Sequence, residues 1–257
     1  MFEDELAFAG ELADEAGRIA LSYFGSELAV KLKADRTPVT EADVLIEAMI
    51  REWVRERFPG DAVLGEEGGL EGGGDRRWIV DPIDGTKNFA DGVQIWANLI
   101  ALAIDGEPVM GVVNAPALGE RYEAVRGGGG ARLNGRPIQV SGADRVSRAF
   151  VVYSSAGLWL DAERPEPLRD LLRDARRNRG FGDFWGHMLV ARGSADVMLE
   201  PELHTWDFAA LKVVVEEAGG KVSMFDGKPL EHGGSMLTTN GVLHDELVAR
   251  LLGGPAD

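Results

Sequence analysis

Trp78-Ile79-Val80-Asp81-Pro82-Ile83-Asp84-Gly85-Thr86-Lys87-Asn88-Phe89 is the stretch from which the rest of the chain is read. Arg77 to Val80 read as the end of a buried strand, with aromatic and β-branched residues running straight into two carboxylates. Asp81 and Asp84 stand three apart across Pro82, which forces a bent, non-helical backbone between them. Such a bend can turn both carboxylates toward one point, where a hard cation would offset their repulsion. Gly85-Thr86 permits a tight approach, and a helix starting there aims free backbone N–H groups at an anion. Cation ligands beside an anion-binding helix start point to metal-assisted chemistry on a phosphate ester. A bare D-P-x-D-G has a plainer reading as turn chemistry, so the other motifs must decide.

Three further stretches bear on that choice. Thr40-Glu41-Ala42-Asp43 opens a helix with Ile46, Met49, Ile50 and Trp53 facing inward, and alone it is a capping pattern. Gly65-Glu66-Glu67 ends a short strand, where a glutamate pair is ordinarily solvated surface. Asp207, in Trp206-Asp207-Phe208-Ala209-Ala210, starts another helix and could simply favour the positive end of its dipole.

Taken together and in this order, the motifs resemble those of the inositol monophosphatase family, whose signature is D-P-[IL]-D-G-[ST]. The resemblance runs from the first helix to the last. It implies an α/β (α+β) fold, a layered α-β-α-β-α sandwich, and a magnesium-dependent, lithium-sensitive sugar or polyol phosphatase. It also implies the site: Glu66, Asp81 and the Ile83 carbonyl on one Mg²⁺, and Asp81, Asp84 and Asp207 on a second. Glu66 would help a third, so the expectation is two or three ions. Gly85 and Thr86 would grip the phosphate through backbone N–H groups. Thr86, backed by Asp43, would orient the attacking water, and Glu200 matches a substrate-contacting position. All six core residues (Asp43, Glu66, Asp81, Asp84, Thr86, Asp207) are present, which counts against a catalytically silent metal-binding regulator.

Arg179-Gly180-Phe181-Gly182-Asp183-Phe184-Trp185-Gly186-His187-Met188 is similar to a segment of the family's histidinol-phosphate phosphatases. Asp183 stands where general inositol monophosphatases tend to have a small residue. L-Histidinol phosphate carries an ammonium and an imidazole, for which a carboxylate and aromatics are sensible partners. The expected substrate is therefore L-histidinol phosphate, in histidine biosynthesis, with inositol 1-phosphate or a broad polyol phosphate as the alternative. For Asp183 itself an N-terminal cap is the competing role.

Composition sets outer limits. The 257 residues are 45% hydrophobic and 27% charged, which suits one soluble globular unit with a substantial core. A net charge of −16 opposes binding to nucleic acid or anionic membrane. Zero cysteines exclude thiolate nucleophiles, disulfides and cysteine-bound metal centres. No apolar run approaches membrane-spanning length, and Phe2-Glu3-Asp4-Glu5 is unlike a signal peptide, so the expected location is the cytoplasm. The family resemblance adds a homodimer and a small-molecule phosphate ester as partners.

Residues 1–257 read as a single phosphatase domain of two closely packed halves, with a boundary near 141–148. Leu6, Ala9, Ala13, Ala16, Ala20 and Tyr23 mark one face of a first helix that Gly25 stops. Ile95 to Ile104, Pro108 to Asn114 and Glu120 to Val125 are strands of an antiparallel meander, extended by an Asn134-Gly135 hairpin. Gly68 to Gly74 reads as a flexible flap. In the second half, Ala149 to Tyr153, Ala195 to Leu199 and Met236 to Thr239 are strands. Arg169, Arg173, Arg176, Arg177 and Arg179 read as a solvated helix face.

Overall fold

A computed structural model describes residues 2–25, 31–32, 38–160 and 166–253. The first half runs α1 (Glu3–Tyr23), β1 (Lys31–Leu32), β2 (Pro38–Val39), α2 (Glu41–Arg57), β3 (Ala62–Gly65), β4 (Gly69–Glu71) and β5 (Arg76–Asp84). It continues through α3 (Thr86–Ala90), β6 (Ala97–Ile104), β7 (Glu107–Ala115), β8 (Glu120–Val125), β9 (Arg132–Leu133) and β10 (Arg136–Pro137). Eight of these strands form one sheet in the order β10-β9-β8-β7-β6-β5-β3-β4, antiparallel except where β3 lies parallel to β5. Most of the polar loop expected at Lys31 to Arg36 falls outside the described residues.

The second half contributes β11 (Phe150–Tyr153), α4 (Ala156–Leu160), α5 (Glu166–Asp174), β12 (Arg177–Gly180), α6 (Asp183–Ala191) and β13 (Val197–His204). α7 (Thr205–Glu217), β14 (Lys221–Ser223), β15 (Gly233–Thr239) and α8 (His244–Leu251) complete it. Its five strands are ordered β12-β11-β13-β15-β14.

Period-two alternation sorts the strand residues into layers. Trp78, Val80, Ile100 and Leu102 face α1 and α2, while Ile79, Leu99, Ala101 and Ala103 face α6 and α7. On the smaller sheet Phe150, Val152 and Met198 look toward α6, and Val151, Val197 and Leu199 toward α5 and α8. Helices α6 and α7 are thus shared by both sheets, giving the α-β-α-β-α sandwich. Close approach of α7 to β7 depends on Gly111, where a Cβ would lie 2.5 Å from the Ala210 carbonyl oxygen. The alanine face of α1 sits down on the larger sheet, and Asn114 there donates to the Ala13 carbonyl at 2.8 Å.

Two expectations change. The Gly68 to Gly74 segment begins as strand β4, paired antiparallel with β3, and so is a hairpin arm before it turns. The arginine run is not one helix face: α5 stops at Asp174, and Arg177–Gly180 pairs parallel with β11 as an edge strand. The Arg177 guanidinium lies over its cross-strand partner Phe150, 4.5 Å from the ring centroid.

Candidate active site

Strand β5 runs through the larger sheet and breaks its register with β6 between Asp81 and Asp84. Pro82 has no N–H for the ladder, which is why the irregularity falls there. The bend is held from both sides. Asp81 Oδ1 accepts the Ile83 N–H at 3.0 Å, and the Pro82 carbonyl accepts Asn98 Nδ2 at 2.6 Å. It places Asp81 and Asp84 against Asp207, from the first turn of α7, with one oxygen of each within 4.8 Å of the others.

Among the described residues no lysine or arginine forms a salt bridge with this trio, and its electrostatics reflect that. Burial, and then the charges of Glu66, Asp84 and Asp207, push the Asp81 carboxyl well above its usual range. Burial and the charges of Asp183 and Asp207 do the same to Asp84. Asp207 is pushed up to about 6, chiefly by burial. A dication among them would add an attraction that outweighs this repulsion and favours the ionised carboxylates. Three hard oxygen donors with no sulfur or imidazole in the set suit a cation such as Mg²⁺ or Ca²⁺. Glu66 lines the same cavity, though it lies outside the tight group of three.

Helix α3 begins in the cavity wall, where Gly85 adopts φ 83°. A Cβ there would stand 2.9 Å from the Ile95 carbonyl oxygen and 3.5 Å from Asp183 Oδ2, so the position admits only glycine. The Thr86 hydroxyl donates to the Ile83 carbonyl at 3.0 Å. Asp43 is fully buried near the start of α2, where its Oδ2 accepts the Thr40 N–H at 2.8 Å. Its Oδ1 has no hydrogen-bond partner. Burial lifts this carboxyl to about 6, with Glu67 and Glu66 adding repulsion. Asp43 and Thr86 are not joined by a hydrogen bond.

The other wall comes from the second half. Asp183 is the first residue of α6, with φ 56°, and the cap position before the helix is held by Gly182. Asp183 Oδ2 accepts Asn88 Nδ2 at 2.8 Å, across 95 residues of chain. The next amide, Phe184 N–H, donates to Asp84 Oδ2 at 2.6 Å. The start of α6 is therefore tied to the Asp84 turn and to α3, and the capping alternative for Asp183 is not what the structure contains. Glu200, on β13, is buried, and burial raises it to about 8 against a backbone hydrogen bond from Asp183.

The cavity enclosed by these groups has a volume of about 750 Å³. Sequence reasoning missed Glu202, exposed at the rim two residues along β13 from Glu200. His204, which its nearness to Asp207 in the sequence puts at the site, lines the cavity and stacks on Trp206 at 5.0 Å. Period-two spacing on β13 was the available signal for this trio of positions, although a bulge between Glu200 and Leu203 obscures it.

Known proteins are similar to this chain in sequence and in fold. A histidinol-phosphatase from Streptomyces coelicolor is 44% identical, over 96% of this chain and 97% of its own. A histidinol-phosphatase from Mycobacterium tuberculosis is 45% identical, over 99% of this chain and 100% of its own. The solved inositol monophosphatase of Thermotoga maritima superposes with a TM-score of 0.87 at 32% identity, covering 97% of both chains. The model of the inositol monophosphatase family matches residues 2–253, and the chain belongs to that family.

Proposed function

We propose that this phosphoric monoester hydrolase acts on L-histidinol phosphate, releasing L-histidinol and inorganic phosphate, with Mg²⁺ as its metal. The observation that carries the substrate is the 44–45% identity, over nearly the whole chain, to two histidinol-phosphatases. The acidic cavity wall of Asp183, Glu200 and Glu202 supports it, because the alcohol product of this ester bears an ammonium.

Asp81, Asp84 and Asp207 would hold one Mg²⁺, and Glu66, Asp81 and the Ile83 carbonyl another, with Glu66 serving a third. The ions would supply Lewis-acid polarisation of the phosphate and a water of lowered pKa. Gly85 and Thr86 backbone N–H groups would bind the phosphate oxygens, at a position where Gly85 lets the ester approach the backbone. In the loaded site Thr86 would exchange the Ile83 carbonyl for the unpartnered oxygen of Asp43 and so align the attacking water. With no cysteine in the chain, no thiolate takes part.

The same reading places the enzyme in histidine biosynthesis, as a cytoplasmic homodimer of one phosphatase domain per chain. The net charge of −16 argues against nucleic acid or anionic membrane as partners. Among the described residues no helix is long and apolar enough to cross a membrane. Inositol 1-phosphate is the second reading, favoured by the superposition on an inositol monophosphatase. Phosphate release from both esters tests the choice. Faster turnover of histidinol phosphate is expected, lost in EDTA and restored by Mg²⁺. Preference for inositol 1-phosphate would install the second reading, and full turnover in excess EDTA would end the metal scheme. Release from neither ester would return the silent metal-binding regulator.

A further inference from the structure

Glu47 lies one helical turn beyond Asp43 on α2 and is buried, at 3% exposure. A lone buried carboxylate beside Asp43, Glu66 and Glu67 would be unfavourable. It is not alone. Arg51, the next turn along, donates Nε at 2.9 Å and Nη2 at 2.7 Å to Glu47 Oε1. The carboxylate also accepts two consecutive backbone amides of the β3–β4 turn, Glu67 N–H at 2.8 Å and Gly68 N–H at 2.7 Å. The amide just before them, Glu66 N–H, reaches the Val80 carbonyl at 3.3 Å. Three successive amides beginning at Glu66 are therefore fixed, two of them by one side chain.

Arg51 grips both arms of the same hairpin. Its Nη2 donates to the Gly69 carbonyl at 2.7 Å and its Nη1 to the Val63 carbonyl at 3.3 Å. The glycines of the turn follow from this packing. A Cβ on Gly65 would sit 2.4 Å from the Glu47 carboxylate, and one on Gly68 would sit 2.9 Å from Glu47 Oε1. Because Arg51 balances Glu47, the clamp adds no net charge beside the acidic cavity.

We propose that the Glu47–Arg51 pair is a positioning device that presets Glu66 for its metal before the metal arrives. The inference rests on the reading of Glu66 as a metal ligand. Groups that orient a ligand typically matter 10–100-fold in metal affinity. Glu47→Gln is expected to weaken Mg²⁺ binding, measured by calorimetry on the whole protein, by about that factor. Its kcat at saturating Mg²⁺ should stay within a few-fold of wild type, which a general loss of structure would not allow. Leu247→Ala, in the far core under α8, serves as a destabilised control and should bind Mg²⁺ normally.

Wild-type affinity in Glu47→Gln overturns the proposal, as does equal weakening in Leu247→Ala. A wild type that binds no Mg²⁺ overturns the metal reading and the clamp with it. If Glu47→Gln does not fold, amide exchange in the metal-free wild type decides. Slow exchange at Glu67 and Gly68 is expected from a preset turn, and unprotected amides there overturn it. Arg51→Lys, which keeps the charge but loses the fork, should reproduce the weakened affinity in part.

Discussion

Helices α2 and α7 begin with the same local device. Each has an aspartate at its third position whose Oδ2 accepts the backbone N–H of the residue before the helix, at 2.8 Å from Thr40 and 2.7 Å from His204. The two aspartates differ in what surrounds the other oxygen. Asp43 is sealed from solvent with its Oδ1 unpartnered, whereas Asp207 is half-buried at the cavity and brings an oxygen to Asp81 and Asp84. A carboxylate has two oxygens, so capping and site chemistry are not alternatives. One oxygen fixes the side chain, and the neighbourhood of the second decides its further role.

Substituting asparagine keeps the cap and removes the charge, which separates these roles. The largest effect is expected at α7. Asp207→Asn should lower kcat on the order of 10²–10³-fold, the scale for removing one electrostatic contact to a reacting centre. The rise in melting temperature expected from adding Mg²⁺ to the wild type should also vanish. An unchanged Mg²⁺-dependent shift would mean that Asp207 is a cap alone.

Asp43→Asn should act more weakly and differently. Turnover is expected to fall about 10²-fold, the lower end of general acid–base contributions, since Thr86 already has an acceptor in the Ile83 carbonyl. Its Mg²⁺-dependent melting shift should remain. Unchanged turnover would reduce Asp43 to its cap. Loss of the Mg²⁺ shift would erase the contrast between the two helices.

How far the sequence reaches follows the distance over which each feature is built. The β5 bend was legible because its carboxylates, its proline and its glycine sit within five residues. The five layers followed from the family resemblance, whereas strand alternation and helix spacing, which are local, marked only the separate strands and helix faces. The start of α6 was less legible. Asp183 was read as a substrate-facing carboxylate with a cap as the competing role, and neither reading contains its bond to Asn88 across 95 residues, a pairing no local pattern encodes. The clamp joins Glu47 to an amide 21 residues away, and its two sequence traces, Gly65 and Gly68, read as a strand end and as the start of a flexible flap. Strand β12 was missed because Arg177-Asn178-Arg179-Gly180 has neither alternation nor β-branching, and only pairing with β11 makes it a strand.

The smallest effect concerns the caps themselves. Asp→Ala removes the acceptor as well as the charge, so the stability difference between the Ala and Asn variants at each site isolates the capping bond. The chelated protein is the right sample, because bound metal would add its own stabilisation unequally. At α2 two donors are left behind, the N–H and the hydroxyl of buried Thr40, and a buried donor without a partner costs about 1–3 kcal/mol. At α7 the donor is on His204, which is exposed, so water can replace the lost acceptor and the difference should be about 0.5–1 kcal/mol. Urea unfolding in EDTA, with an unchanged m-value, measures both. The α2 difference should be the larger. Equal values would show that burial does not distinguish the two helix starts and that the contrast between them lies only in their charges.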